Sequence, residues 1–294
     1  MSDPPPRVRG LFVMDLDGTL IEGPGPLCQE NQEALRRAAQ AGIAIAIVTG
    51  RRRSTFRTER DRLDGLSFRS SVSNGAVLLR PDNEGVEAVH QIAWEDVLKL
   101  MSLLPAGTGA RCVAVTLPPE DRMHEAETPD ALIVTAEGRF FHAPDSIEPE
   151  LQESLEENAI DRRMALSRRL VHAAVHVPEA ESVAQVCALV RATFGDAVSM
   201  HVAKPPRAPG AMVEILPRGG KGLAVRNLAA SFEVAEEAIG AIGDGANDVT
   251  LLEAARHRYA IRGSVLAEVF PSAIRVGPQA GVAEALMLFQ KALG

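Results

Sequence analysis

Phe12-Val13-Met14-Asp15-Leu16-Asp17-Gly18-Thr19-Leu20 is the stretch on which the reading of this chain turns. The apolar run from Leu11 to Met14 has the character of a buried strand. It stops at an acidic residue, a second acidic residue two positions on, and a glycine. In open α/β sheets ligands bind outside the carboxyl ends of the strands, so chemistry is expected where this strand ends. Taken alone, the same residues also suit an acidic turn closing a core strand, and the choice rests on the rest of the chain.

Outward from that strand, Glu22 to Pro26 is a Gly/Pro loop. Gln29 to Ala41 reads as a helix with Ala34, Leu35, Ala38 and Ala39 on one face. Ile43 to Val48 is a continuous apolar run rich in β-branched residues, the pattern of a strand buried on both faces of a parallel sheet, and it stops at Thr49-Gly50-Arg51. Ser54 to Leu63 supplies the next helix, so βαβα order is set early. After Ser73-Asn74-Gly75-Ala76 the rhythm changes. Ala76 to Leu79 and Val86 to Ile92 suggest a hairpin, followed by a helix (Trp94 to Leu104), strands (Arg111 to Leu117 and Ala131 to Phe141) and a helix (Ile147 to Asn158). A strand (Leu170 to Val177), a helix (Glu179 to Phe194) and a strand (Ala197 to Val202) complete an α+β region. Alternation of the parallel type resumes after Met212 to Leu216: a helix from Gly219-Gly220-Lys221 through Ala230, a strand at Ala238 to Ile242, and a helix to about Ala255. Strands at Tyr259 to Ile261 and Ala273 to Val276 flank a helical Ser264 to Val269. A last helix carries Val282, Ala285, Leu286 and Phe289 on one side. The expected fold class is α/β, a Rossmann-like parallel-sheet core with an inserted α+β domain.

The chain has 294 residues, enough for two domains, with 46% hydrophobic and 24% charged residues, as in ordinary globular proteins. A net charge of −8 speaks against nucleic acid as a partner, because phosphate-backbone binding needs a basic surface. No signal-peptide pattern and no run of spanning length is present, so no membrane association is expected and a cytoplasmic enzyme is the default. Cys28, Cys112 and Cys187 are odd in number and widely spaced, the pattern of reduced packing residues.

Four polar clusters fall just after expected strands or at a helix start: Asp15/Asp17, Thr49, Lys221 and Asp244/Asp248. Singly each has a plain structural reading, as a cap, a turn or a solvated helix start. Together they have a chemical logic. Gathered carboxylates raise one another's pKa unless a cation compensates, and an all-oxygen set suits Mg²⁺. Mg²⁺ with a lysine and a hydroxyl is what a phosphoryl group needs, and one carboxylate can attack phosphorus directly.

The strings DLDGTL (Asp15 to Leu20), VTGR (Val48 to Arg51), the lysine of GGKG (Lys221) and GDGAND (Gly243 to Asp248), in that order, resemble the four motifs of the haloacid dehalogenase superfamily. SNGA (Ser73 to Ala76) and the long insertion before EILPRGGKG (Glu214 to Gly222) are similar to the Cof-type phosphatases with a type IIB cap. The resemblance implies a discontinuous core of residues 1–78 and 212–294 with a cap at 79–211. It makes Asp15 the nucleophile and Asp17 the general acid and base. It gives Thr49, Gly50, Lys221 and Asn247, with Asp15, the phosphoryl group to hold. Asp15, Asp244 and the Asp17 backbone carbonyl would ligate Mg²⁺, with Asp248 in support. An aspartate at position 17 favours a phosphatase over a dehalogenase.

The implied activity is hydrolysis of a small phosphorylated metabolite, such as a sugar phosphate. Transfer of the phosphoryl group to a sugar, and a catalytically idle binding protein, are the alternatives. Ile261-Arg262-Gly263-Ser264 departs from the Met-Gly-Asn-Ala string common in the family. Polar residues of the cap such as His142, His176, His201, Lys204 and Arg207 are candidates to meet a leaving group, and none is assigned a role.

Overall fold

The structure, a computed structural model, describes residues 8–23, 25–104, 110–119, 131–136, 138–142, 159–204 and 209–294. The chain divides into two compact units. One runs to Arg51 and continues with Thr55–Ala88 and Gly220–Gly294; the other comprises Arg52–Ser54 and Val89–Gly219.

The elements up to the end of the first segment are β1 (Gly10–Met14), α1 (Gln29–Gln40), β2 (Ile43–Val48), α2 (Arg53–Arg60), β3 (Arg69–Val72), β4 (Val77–Leu79) and β5 (Val86–Val89). The second unit follows with α3 (Trp94–Leu103), β6 (Arg111–Leu117), β7 (Ala131–Val134), β8 (Phe140–His142), β9 (Ala159–Ile160), α4 (Arg162–Leu166), β10 (Arg169–Val177), α5 (Val183–Phe194), β11 (Val198–Ala203) and β12 (Ala211–Pro217). The chain ends with α6 (Gly220–Ser231), β13 (Ile239–Gly243), α7 (Val249–Glu253), β14 (His257–Ile261), α8 (Val265–Val269), β15 (Ile274–Val276) and α9 (Gly281–Leu293).

Among the described residues the first unit forms one sheet in the order β15-β14-β13-β1-β2-β3-β4-β5. Every neighbouring pair from β15 to β3 is parallel, and β4 turns back antiparallel to β3. β1 sits inside the parallel run and all five of its residues are buried, which is why its sequence is uninterruptedly apolar. Its side chains alternate between two layers. Leu11 and Val13 join Val225, Leu228, Leu251, Leu252 and Leu266 of α6, α7 and α8. Phe12 points the other way, with its ring 5.4 Å from that of Phe289 in α9. Asn31 of α1 fastens α9 to that layer, its side-chain oxygen accepting from the Ala283 N–H at 2.9 Å.

β3 escaped the sequence reading because Arg69-Ser70-Ser71-Val72 has no apolar pattern. Its buried hydroxyls are satisfied locally, Ser70 donating to Asn83 Oδ1 at 2.6 Å and Ser71 to the Val77 carbonyl at 2.9 Å, so the polar strand is not penalised for burial.

The second unit has the sheet order β11-β12-β10-β6-β7-β8-β9, with every pair antiparallel. Val97, Leu100 and Met101 of α3 and Val186, Cys187 and Val190 of α5 pack with Cys112, Ala173, Val175 and Val213 of the sheet. It is the α+β unit expected within the α/β one. Two readings need correction here. Ala131 to Phe141 is two strands, because Gly138 takes a left-handed φ of 71° and closes a turn in which its N–H donates to the Thr135 carbonyl. β12, which the expected boundaries placed in the core of residues 212–294, pairs antiparallel with β10 and β11 and falls in the second unit. β9 and α4 are additions. The expected helix at Ile147 to Asn158 lies outside the described residues, as does Arg207. No helix among the described residues is long and apolar enough to cross a membrane. Cys112 and Cys187 are buried free thiols, and Cys28 is half-buried and free.

Candidate active site

Three adjacent parallel strands end at the same level. Met14 of β1 is in register with Ile47 of β2 and Ile242 of β13, so Asp15, Thr49 and Asp244 all emerge at the carboxyl edge of the sheet. Asp15 is fixed there by its N–H, which donates to the Ile242 carbonyl at 3.0 Å. Lys221 comes from the first turn of α6. Its ammonium nitrogen lies 2.5 Å from Asp15 Oδ1 and 2.6 Å from Asp248 Oδ1, with Lys221 1% and Asp248 0% exposed. The second oxygen of Asp248 accepts the N–H groups of Asp244 and Gly245, each at 2.9 Å, which folds Asp244 to Asp248 into a tight turn. Asp244 Oδ1 accepts the Thr19 hydroxyl at 2.6 Å. Gly18, at φ 81°, lets the chain pass so close to Asp244 that an added Cβ would collide with its Oδ2.

Carboxylate oxygens of Asp15, Asp244 and Asp248 lie within 4.8 Å of one another around the single ammonium of Lys221. Negative charge is therefore in excess. Burial, reinforced by Asp248 and Asp244 against the pull of Lys221, pushes the Asp15 carboxyl up to about 8. Burial also raises Asp244, with the Thr19 hydrogen bond working against it. Burial disfavours the charge on Lys221, but Asp15 and Asp248 outweigh it and hold that pKa above its usual value. A hard oxygen donor set with unbalanced charge fits a small divalent cation such as Mg²⁺.

The Asp17 carboxylate is not in that cluster. It is gripped by Arg51, whose Nε donates to Oδ2 at 2.8 Å and Nη2 to Oδ1 at 2.6 Å. Thr49 is buried, and its hydroxyl oxygen accepts the Arg51 N–H at 3.1 Å. Gly50 passes close to Asn74, where an added Cβ would lie 3.1 Å from Oδ1. The same Asn74 oxygen accepts from Asn247 Nδ2 at 2.9 Å and the Asn74 N–H donates to the Thr49 carbonyl at 2.9 Å, so Thr49 and the Asp244 turn are joined through one residue.

Asn74, Thr19 and Arg51 are contacts that the sequence reading did not single out. Asn74 carried a signal: Ser73, Asn74 and Gly75 are successive left-handed residues, at φ 53°, 54° and 92°, the turn chemistry that Asn and Gly permit. At Gly75 the close approach is to the start of α6, since an added Cβ would lie 2.5 Å from the Gly220 carbonyl oxygen and 3.0 Å from Lys221 Cα. The departing string at Ile261 to Ser264 is also tied in. Ser264 caps α8 by accepting the Ala267 N–H, and the Leu266 N–H donates to the Asp244 carbonyl at 2.9 Å. Of the polar residues named in the inserted unit, His176 Nε2 lies 2.9 Å from the Pro209 carbonyl oxygen, and Lys204 is exposed.

Strand-end aspartates, a bridging lysine and a threonine on a mostly parallel sheet define a hydrolase of the phosphoryl-transfer kind. The chain belongs to the haloacid dehalogenase-like hydrolase family, whose model matches residues 12–266. It is 27% identical to a 5-amino-6-(5-phospho-D-ribitylamino)uracil phosphatase of Bacillus subtilis (strain 168), over 86% of this chain and 88% of that protein. The fold is shared with a phosphatase of the haloalkanoate (HAD) enzyme superfamily from Bacteroides thetaiotaomicron, at TM-score 0.69 and 22% identity over 99% of both chains. It is also shared with a HAD subclass IIB sugar phosphatase, at TM-score 0.65 and 18% identity over 96% of this chain and 99% of the other. The chain is an enzyme of the Cof-type phosphatase class.

Proposed function

We propose that this enzyme is a Mg²⁺-dependent phosphatase that hydrolyses a small phosphorylated metabolite, of the sugar-phosphate type, through an aspartyl-phosphate on Asp15. The observation that carries the proposal is the buried bridge from Lys221 to Asp15 and Asp248 at the ends of β1 and β13. A lysine held this rigidly beside a strand-end carboxylate keeps positive charge where phosphoryl oxygens must approach that carboxylate, which preorganises the site electrostatically.

In the proposed sequence an Asp15 carboxylate oxygen attacks phosphorus and the P–O bond to the alcohol breaks. Asp17 gives its proton to the leaving oxygen. Asp17 then takes a proton from the water that attacks the aspartyl-phosphate, and inorganic phosphate leaves as Asp15 is regenerated. The Thr49 hydroxyl, the Gly50 N–H and the Asn247 amide hold phosphoryl oxygens, and Lys221 offsets their charge. Asp15, Asp244 and the Asp17 carbonyl would hold Mg²⁺, with Asp248 in support, and the ion supplies neutralisation of the oxygens as charge develops. The inserted α+β unit is the cap in this reading. The curated relative acts on a phosphorylated ribityl compound and a structural neighbour on sugar phosphates, which points the substrate class toward phosphate esters of small polyhydroxylated alcohols.

The test is Asp15→Asn assayed with Mg²⁺ for phosphate release from a panel of sugar phosphates. Loss of release is expected, and activity near the wild-type level would overturn the mechanism.

A further inference from the structure

Arg51 follows the Thr49-Gly50 pair and has no part in the mechanism above, yet its side chain is the most committed cation near the site. Its fork closes on both oxygens of Asp17, at 2.8 and 2.6 Å, and its third nitrogen, Nη1, lies 3.0 Å from Glu59 Oε1. Glu59 is held in turn, its Oε2 lying 2.6 Å from Arg62 Nη1. Arg62 Nη2 donates to the carbonyls of Gly23 and Gly25, in the loop that follows Asp17 and Leu20. A chain of alternating charges therefore runs from Asp17 through Arg51, Glu59 and Arg62 back to the backbone beyond Asp17, all within one compact unit.

Two readings of Arg51 can be weighed by charge and geometry. As a phosphate ligand it would need donors and net positive charge to spare. All three of its nitrogens already face carboxylates, two of which share one guanidinium, whereas Lys221 stands directly on Asp15. As an orienting group it has what is required: a planar bidentate fork fixes both the position and the plane of a carboxylate, which a lysine cannot do. Among the described residues no other side-chain bond holds Asp17, and its side chain is 48% exposed.

We propose that Arg51, anchored by Glu59 and Arg62, is a positioning residue that orients the Asp17 carboxyl group and so acts on departure of the leaving group rather than on binding of the phosphoryl group. The inference rests on the proton-transfer role given to Asp17 above. An ester with a good leaving group needs little help from a proton donor, whereas an alkyl ester depends on one, so loss of orientation shows selectively.

The experiment compares wild type, Arg51→Ala and Arg51→Lys on p-nitrophenyl phosphate and on a primary-alkyl monophosphate, with Mg²⁺ present and folding checked by thermal unfolding. For Arg51→Ala, kcat/KM, which covers the steps through aspartyl-phosphate formation and not its hydrolysis, is expected to fall at least about tenfold on the alkyl ester and less than about threefold on p-nitrophenyl phosphate, with inhibition by inorganic phosphate unchanged within about twofold. Added guanidinium ion should restore part of the alkyl-ester rate, and Arg51→Lys should resemble Arg51→Ala because an ammonium cannot fork. Equal losses of kcat/KM on the two esters, weakened inhibition by phosphate as the main effect, or no loss on the alkyl ester would each overturn the proposal. If Arg51→Ala does not fold, Arg51→Lys carries the same comparison. The parent reading fails differently, by wild type releasing phosphate from neither ester or by Asp15→Asn retaining full activity.

Discussion

Lys221→Met takes one ammonium away from two buried carboxylates, and the geometry sets the cost. The ammonium is 2.5 Å from Asp15 and 2.6 Å from Asp248, and neither Lys221 nor Asp248 is more than 1% exposed. Removing one partner of a buried ion pair costs about 3–5 kcal/mol, because the charge left behind has lost both water and counter-ion. Asp15, already pushed up to about 8, can shed its charge by holding a proton near neutral pH. Asp248 keeps its two backbone N–H donors but is left fully buried without the ammonium, so the penalty falls on it. The lower end of the range follows, about 3 kcal/mol, which for a domain of this size is a fall in Tm of about 6–12 °C. Thermal unfolding in the presence of a chelator measures it directly. Asp248→Asn removes the stranded charge, so the double variant Lys221→Met/Asp248→Asn should be more stable than the sum of the single losses predicts, by about 1–3 kcal/mol. A Tm for Lys221→Met within about 2 °C of wild type, or strict additivity in the double variant, would refute the charge accounting.

Two further outcomes follow from the same neighbourhood. Gly75→Ala combines a left-handed φ of 92° with a Cβ placed 2.5 Å from the Gly220 carbonyl oxygen, so the start of α6 must shift and carry Lys221 with it. A loss of at least about 1–3 kcal/mol in unfolding free energy and a lower kcat are expected together, and wild-type values of both would show that the contact is not needed. The raised pKa of Asp15 links metal, pH and stability. With an ordinary value of 3.8 and a folded value of about 8, the metal-free folded state binds more protons than the unfolded state between those limits. This contribution is therefore fully present below the lower value and is lost as pH rises through the upper one. With Asp15 as a ligand, as proposed, Mg²⁺ would take the place of the proton, so the gain in Tm from saturating Mg²⁺ over chelator should be larger at about pH 8.5 than at about pH 6. Equal gains at the two pH values would count against Asp15 as a ligand.

Much of this molecule is written locally. The apolar run of β1, the apolar run of β2 and the amphipathic spacing of α9 are each encoded within a few neighbouring residues, so their bounds in the structure match the pattern in the sequence closely. The motif residues were legible for a related reason: strand ends and helix starts are marked by Gly, Asp and Thr, and their chain order carries the family resemblance. Where local pattern was weak or misleading the reading failed. β3 is polar and is stabilised by hydrogen bonds to Asn83 and Val77, beyond its own residues, and β7 and β8 look continuous until Gly138 turns the chain.

What the sequence by itself determined is the α/β order, the inserted α+β region and the identities of Asp15, Asp17, Thr49, Lys221, Asp244 and Asp248. Only the tertiary structure decided which groups share charge and hydrogen bonds. Lys221 meets Asp15 across 206 positions of chain, Asn247 meets Asn74 across 173, and Arg51 meets Asp17 across 34. The assignment of β12 to the antiparallel sheet was settled in the same way, by pairing with β10 and β11. The physical reason is one throughout: propensity and periodicity act over a few residues, whereas pairing partners, burial and the sharing of one ammonium between two carboxylates exist only once distant segments are packed together.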